Sequence, residues 1–182
     1  MTDYIYQNMR FLIVDNVKPS QDILKQFIMR FSNKQVDSTH YAQDVIAICR
    51  QKTYDVILLG YDLGDNQKNG QQILEELRVN KYINQQCIVM LITAEVSQSM
   101  VLAALEHKPD HYICKPYSLN SLYKRLTDSL RKKEALSAIY KALDENRPEL
   151  VIKHCENVLK ANTKIVVNKH VSVMRGNCAR PT

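Results

Sequence analysis

Long hydrophobic stretches are missing from this chain. Its apolar runs, such as Val56–Leu59 and Ile88–Ile92, fall far short of the roughly 20 residues that cross a bilayer. A membrane-spanning helix is excluded, and no membrane partner is expected. The opening MTDYIYQNMR places an acid before its first base and lacks an apolar core of roughly 7–15 residues. A secretory signal therefore does not fit, and a cytoplasmic location is expected. The cysteines at 49, 87, 114, 155 and 178 include no C-x-x-C pair. An odd set without that spacing argues against both a disulfide framework and a zinc knuckle, so reduced thiols are expected. Phosphate-cradling G-x-G-x-x-G and G-x-x-x-x-G-K-[ST] motifs are lacking, as is a nucleophile elbow. The histidines at 40, 107, 111, 154 and 170 show no metal-ligand spacing.

What is present fits one domain with an appendage: 182 residues, 45% hydrophobic and 24% charged, enough to bury a core and too apolar for wholesale disorder. The net charge of +6 is unevenly placed. Residues 1–133 carry 17 Lys/Arg against 14 Asp/Glu, and residues 134–182 carry 8 against 5. The last 22 residues hold four bases and no acid. Such a tail can reach an acidic surface, but most short basic tails are simply solvated, and nucleic acid is not the expected partner.

Apolar runs and helical periodicities alternate along the chain. FLIV at 11–14 reads as a strand buried on both faces. Pro19 suits the first turn of a helix, whose apolar face is read as Ile23, Leu24, Phe27, Ile28 and Phe31. Lys34 to Thr39 reads as a polar edge strand, followed by a helix over Ala42, Val45, Ile46 and Cys49. Val56–Leu59 is the third strand, and a loop from Gly60 to Gly70 leads to Ile73, Leu74 and Leu77 at helical spacing. Cys87–Ile92 and His111–Cys114 are the fourth and fifth strands. Met100, Val101, Ala104 and Leu105 mark the helix between them, and Leu119, Leu122, Leu126 and Leu130 the helix after them. Five such units predict a parallel sheet covered on both faces.

After Lys133 the pattern becomes purely helical. Ala135, Leu136, Ile139, Ala142 and Leu143 form one stripe; Leu150, Val151, His154, Cys155, Val158 and Leu159 form another. The spacing resembles one tetratricopeptide unit, and a single pair cannot bury its own face. It is expected to dock on the α/β domain or to make a homodimer contact. The division expected is a domain over 1–133, a helical hairpin over 134–161 and a basic tail over 162–182.

In an open parallel sheet the ligand crevice lies beyond the carboxyl ends of the strands. The residues that follow the apolar runs are Asp15 and Asn16; Gly60, Tyr61 and Asp62; Thr93 and Ala94; Lys115 and Pro116. An anion site needs a fixed cation with hydroxyl or amide donors, and a divalent metal wants carboxylate oxygens and water. Asp15, Thr93 and Lys115 are of those types. Singly each has a bland reading, as a helix cap or a solvated side chain. Together at three strand ends they predict a shared pocket.

FLIVDN, VILLGYDLG, MLITAE and YICKPYS, in this order and spacing, resemble the CheY-like receiver domain of bacterial response regulators over about residues 8–133. The resemblance implies an α/β, flavodoxin-like, doubly wound sheet of five parallel strands in the order 2-1-3-4-5, here with a C-terminal helical extension. It also implies a chemistry. In receivers an aspartate ending the third strand takes a phosphoryl group, acids after the first strand hold magnesium, and a Thr/Ser and a Lys hold the phosphoryl oxygens. Carried over, the phosphoacceptor position is Gly60, which has no carboxylate oxygen with which to form an acyl phosphate. The acidic pair is reduced to Asp15 and Asn16. Each missing charge would be worth about 4 kcal/mol to a unit cation roughly 4 Å away at an effective dielectric near 20. Asp15 is then the one expected metal ligand, magnesium binding is expected to be weak, and no other cofactor is expected.

Asp62 stands two residues into the loop, out of reach of Lys115, and beside Gly64 and Asp65 it reads as a turn residue. Lys115, without its family partner, is expected to pair with Asp15. The resemblance implies a cis peptide before Pro116 and makes Tyr112 the switch aromatic; a partly buried strand tyrosine reads equally well there. The function expected is phosphorelay signalling without catalysis: a pseudo-receiver that contacts other signalling proteins, a histidine kinase or a downstream effector, through its fourth and fifth helices and fifth strand. The alternative is a flavodoxin-like binder of a small ligand or nucleotide, which the sheet alone does not exclude.

Overall fold

The computed structural model describes residues 7–30, 32, 36–94, 109–161, 171 and 174. The helix expected over Met100, Val101, Ala104 and Leu105 lies outside them, as does Phe31. Five strands, β1 (Phe11–Val14), β2 (Val36–Thr39), β3 (Val56–Gly60), β4 (Ile88–Thr93) and β5 (His111–Cys114), form one sheet in the order β2-β1-β3-β4-β5. Every pairing is parallel. This is the doubly wound, flavodoxin-like order.

Every residue of β1, β3 and β4 is buried, which is why these strands read as unbroken apolar runs: helices cover both faces of a parallel sheet. At the edge, β2 is VDST and only Thr39 is buried. The register lines up the strand ends. Val14 pairs with both Thr39 and Leu59, Gly60 with Ile92, and Thr93 with Cys114. The residues that follow these positions therefore share one edge.

Helices α1 (Lys18–Ile28), α2 (Ala42–Gln51) and α3 (Gly70–Val79) return the chain between strands, and α4 (Leu119–Ala135) follows β5. On α1 the inward residues are Gln21, Leu24, Phe27 and Ile28, whereas Ile23 is 54% exposed. The apolar face expected from the sequence is corrected by this: the helix turns its amide, not Ile23, toward the sheet, because backbone acceptors at the strand ends await it. Helix α3 starts at a full capping box between Asn69 and Gln72. A Cβ on Gly70 would lie 2.3 Å from the Gly60 carbonyl oxygen, so only glycine lets α3 start against the end of β3.

The chain divides into two compact units, Met1–Leu126 and Thr127–Thr182. In the second, α5 (Ser137–Asp144) and α6 (Pro148–Lys160) pack together. Leu136, Ile139, Tyr140, Ala142, Val151 and Cys155 are buried between them, and Val171 joins them with no exposed surface. Lys133 Nζ sits 4.5 Å above the Tyr140 ring. Two helices alone leave an apolar face open; here a residue beyond α6 helps to close it. No disulfide joins Cys49, Cys87, Cys114 or Cys155, and burial pushes the Cys49 thiol up to about 12. None of the described helices is long and apolar enough to cross a membrane.

Val171→Asp puts a carboxylate into that cluster and is expected to lower the melting temperature of the helical unit, followed at 222 nm, while Val171→Ile preserves it. Equal melting of the aspartate variant would contradict the burial of Val171.

Candidate functional site

Asp15 follows β1 at the carboxyl edge and is 3% exposed. Its Oδ1 accepts the Val17 N–H at 2.9 Å. Its Oδ2 accepts the Ser20 hydroxyl at 2.7 Å and the Lys115 ammonium at 3.1 Å. A buried carboxylate is costly unless its lone pairs are filled by donors; here three groups of the protein itself fill most of them. The ion pair is lopsided, since the Lys115 side chain is 36% exposed. Tyr117 lies two residues past Lys115; burial first, and then the Asp15 charge, raise its phenol above the ordinary value.

Gln21 stands beneath this cluster without exposed surface. Its amide Nε2 donates to the Asp15 carbonyl at 2.7 Å and the Thr39 carbonyl at 2.9 Å, and lies 3.1 Å from His40 Nδ1. Gln21 Oε1, by contrast, is a buried oxygen without a hydrogen-bond partner. One neutral side chain thus ties the loop after β1 to the loop after β2. Gln67 makes a second tie, accepting the Ala42 N–H at 2.9 Å and donating to the Leu63 carbonyl at 3.0 Å.

Gly60 closes β3. A Cβ there would lie 3.1 Å from the Val14 carbonyl oxygen and 3.2 Å from Leu63 Cδ2, so a larger residue requires both the β1 backbone and the Leu63 side chain to give by a few tenths of an ångström. Asp62 does not join Asp15. It is exposed, and its Oδ1 accepts the Gly64 N–H at 3.0 Å in a local turn, with Gly64 at φ +106°. Asn16 is also exposed.

Thr93 ends β4, 4% exposed, and its carbonyl accepts the Lys115 N–H at 2.7 Å. Ala94 and Pro116 are exposed at the same edge, and the Lys115–Pro116 peptide is cis. Tyr112, in β5, donates its hydroxyl to Gln71 Oε1 at 3.0 Å, and its carbonyl accepts Arg125 Nη1 at 3.2 Å. Burial, then neighbouring Tyr61, raises the Tyr112 phenol.

Of the expected residues, the structure brings together Asp15, Thr93 and Lys115, with Gly60 at the end of the strand between them. Asp62 and Asn16 stay outside. A magnesium ion would need free carboxylate oxygens and water. Asp15 already accepts from three protein donors, position 60 offers no carboxylate and Asp62 is folded on its own loop, so of these oxygens only Asp15 Oδ1, which accepts a single N–H, has room for the ion, and this residue set fits it poorly. Among the described residues no group of three or more His, Cys, Asp or Glu side chains is gathered for a metal. Sequence reasoning missed Ser20, Gln21, Gln71 and Tyr117. Only Ser20 and Tyr117 carried a signal, as hydroxyls near Asp15 and Lys115 in the chain. The glutamines reach partners as far as 18 and 41 residues away in sequence, and a helical glutamine ordinarily reads as solvated.

The profile of the response regulator receiver domain matches residues 11–127. A CheY-like response regulator receiver domain protein from Methanospirillum hungatei superposes with a TM-score of 0.60 at 22% identity, over 69% of this chain and 96% of its own. A two-component response regulator from Clostridium difficile gives 0.59 at 25% identity, over 68% and 97%. A LuxR-family DNA-binding response regulator from Staphylococcus aureus gives 0.57 at 16%, over 67% and 98%.

Ser20→Ala removes one donor from a buried carboxylate and is expected to lower stability by about 2 kcal/mol, read from the urea midpoint. An unchanged midpoint would show that water replaces the hydroxyl without loss.

Proposed function

The chain belongs to the response regulator receiver family, whose setting is two-component signalling, and on that premise we propose that it is a pseudo-receiver: it signals through protein contacts without phosphorylation of an aspartate. The observation that carries the reading is Gly60 at the end of β3, facing an otherwise retained Asp15, Thr93 and Lys115. An acyl phosphate requires a carboxylate at that point. The carboxylate that remains nearby, Asp15, is held by Val17, Ser20 and Lys115, and reorienting it as a nucleophile would break all three contacts.

In this reading the domain performs no catalysis and works in the cytoplasm. Its conformational equilibrium is set by partners or by fixed internal contacts, because a state can be shifted only by something that binds its forms unequally. The partners are signalling proteins, a histidine kinase or a downstream effector. The α5–α6 pair, similar in spacing to a tetratricopeptide unit, supplies a second contact surface, and a second copy of the chain is its simplest occupant.

Incubation with acetyl phosphate and magnesium is expected to leave the intact mass unchanged. One added phosphoryl group, localised to an aspartate by peptide mapping, would overturn the reading.

A further inference from the structure

Three consecutive residues at the start of α3 do three different jobs. Asn69 caps the helix through its box with Gln72. Gly70 lies against the Gly60 carbonyl, too close for any side chain, and donates its N–H to the Tyr61 carbonyl at 2.8 Å. Gln71, 8% exposed, accepts the Tyr112 hydroxyl from β5, 41 residues away. Position 60 and the β5 aromatic are thus attached to adjacent residues of one capped, rigid turn.

We propose that Gln71 is a positioning residue that latches Tyr112 in one setting, so that the β5 edge keeps a single conformation without any covalent mark. This rests on the pseudo-receiver reading and names what sets its equilibrium. Tyr112 is well placed to report such a setting. Its ring packs on the core cluster that includes Ile73, Leu74 and Leu91, its hydroxyl is tied to α3, and its carbonyl is tied to Arg125 of α4. Movement of this ring would release the hydroxyl from α3 while the main-chain tie to α4 stays. The phenol is neutral at ordinary pH, so its hydrogen is available to Gln71. The Oε1 acceptor is neutral, and the bond therefore stands apart from the charge pair at Asp15 and Lys115. A net hydrogen bond of ordinary strength shifts a two-state population about five-fold.

The test is fluorine NMR of the full chain labelled with 3-fluorotyrosine, the Tyr112 resonance being assigned by its loss in Tyr112→Phe. The chain has no tryptophan and ten tyrosines. Gln71→Met keeps the shape and removes the acceptor; Gln71→Glu keeps an acceptor. The latch predicts one Tyr112 resonance in the parent, a second or shifted resonance in Gln71→Met with a population change of about five-fold, and return toward the parent in Gln71→Glu. A Gln71→Met spectrum identical to the parent at Tyr112 would overturn it. Should that variant not fold, the parent decides: a nuclear Overhauser contact between the Tyr112 ring and the Gln71 side chain supports the latch, and its absence sinks it. Acetyl phosphate added to the parent separates the two ideas, since a moved Tyr112 resonance there contradicts the pseudo-receiver reading and leaves the Gln71 comparison standing.

Discussion

A single buried carboxylate organises the carboxyl edge of this sheet. At 3% exposure the Asp15 carboxylate is costly to bury unless donors fill most of its lone pairs. The main-chain N–H of Val17, the hydroxyl of Ser20 and the ammonium of Lys115 are those donors. The last of these reaches across 100 residues of sequence and draws the end of β5 toward the end of β1.

Around this pair the edge is laced by neutral amides. Gln21 joins the ends of β1 and β2, Gln67 joins the loop after β3 to α2, and Gln71 joins α3 to β5. Amide bonds carry no net charge, so they are little screened by salt and do not titrate. Backbone packing adds to the rigidity: Gly70 meets the Gly60 carbonyl with no room for a side chain.

The sheet was legible in the sequence because burial on both faces leaves a plain mark: FLIV, VILLG and IVMLIT are the central strands. The pocket was partly legible for a related reason. Parallel strands in register deliver the residues after each apolar run to one edge, and Asp15, Thr93 and Lys115 could be named from that alone. Inward Gln21 and exposed Ile23 were not legible, since helical spacing reports apolarity and an amide that pairs with main-chain carbonyls has no apolar signature. Gln71 was hidden for the same reason. Val171 was hidden because nothing in the sequence pairs it with the helices before it, and its role comes from its place in the buried cluster with Ile139 and Val151.

The self-sufficiency of Asp15 is the claim on which the rest depends, and a magnesium titration followed by amide chemical shifts tests it most directly. With both carboxylate oxygens engaged, the Asp15, Val17, Ser20 and Gly60 signals should show no saturable change at millimolar magnesium. A saturating shift centred on Asp15, abolished in Asp15→Asn, would show that the ion displaces the protein's own donors and would contradict the account.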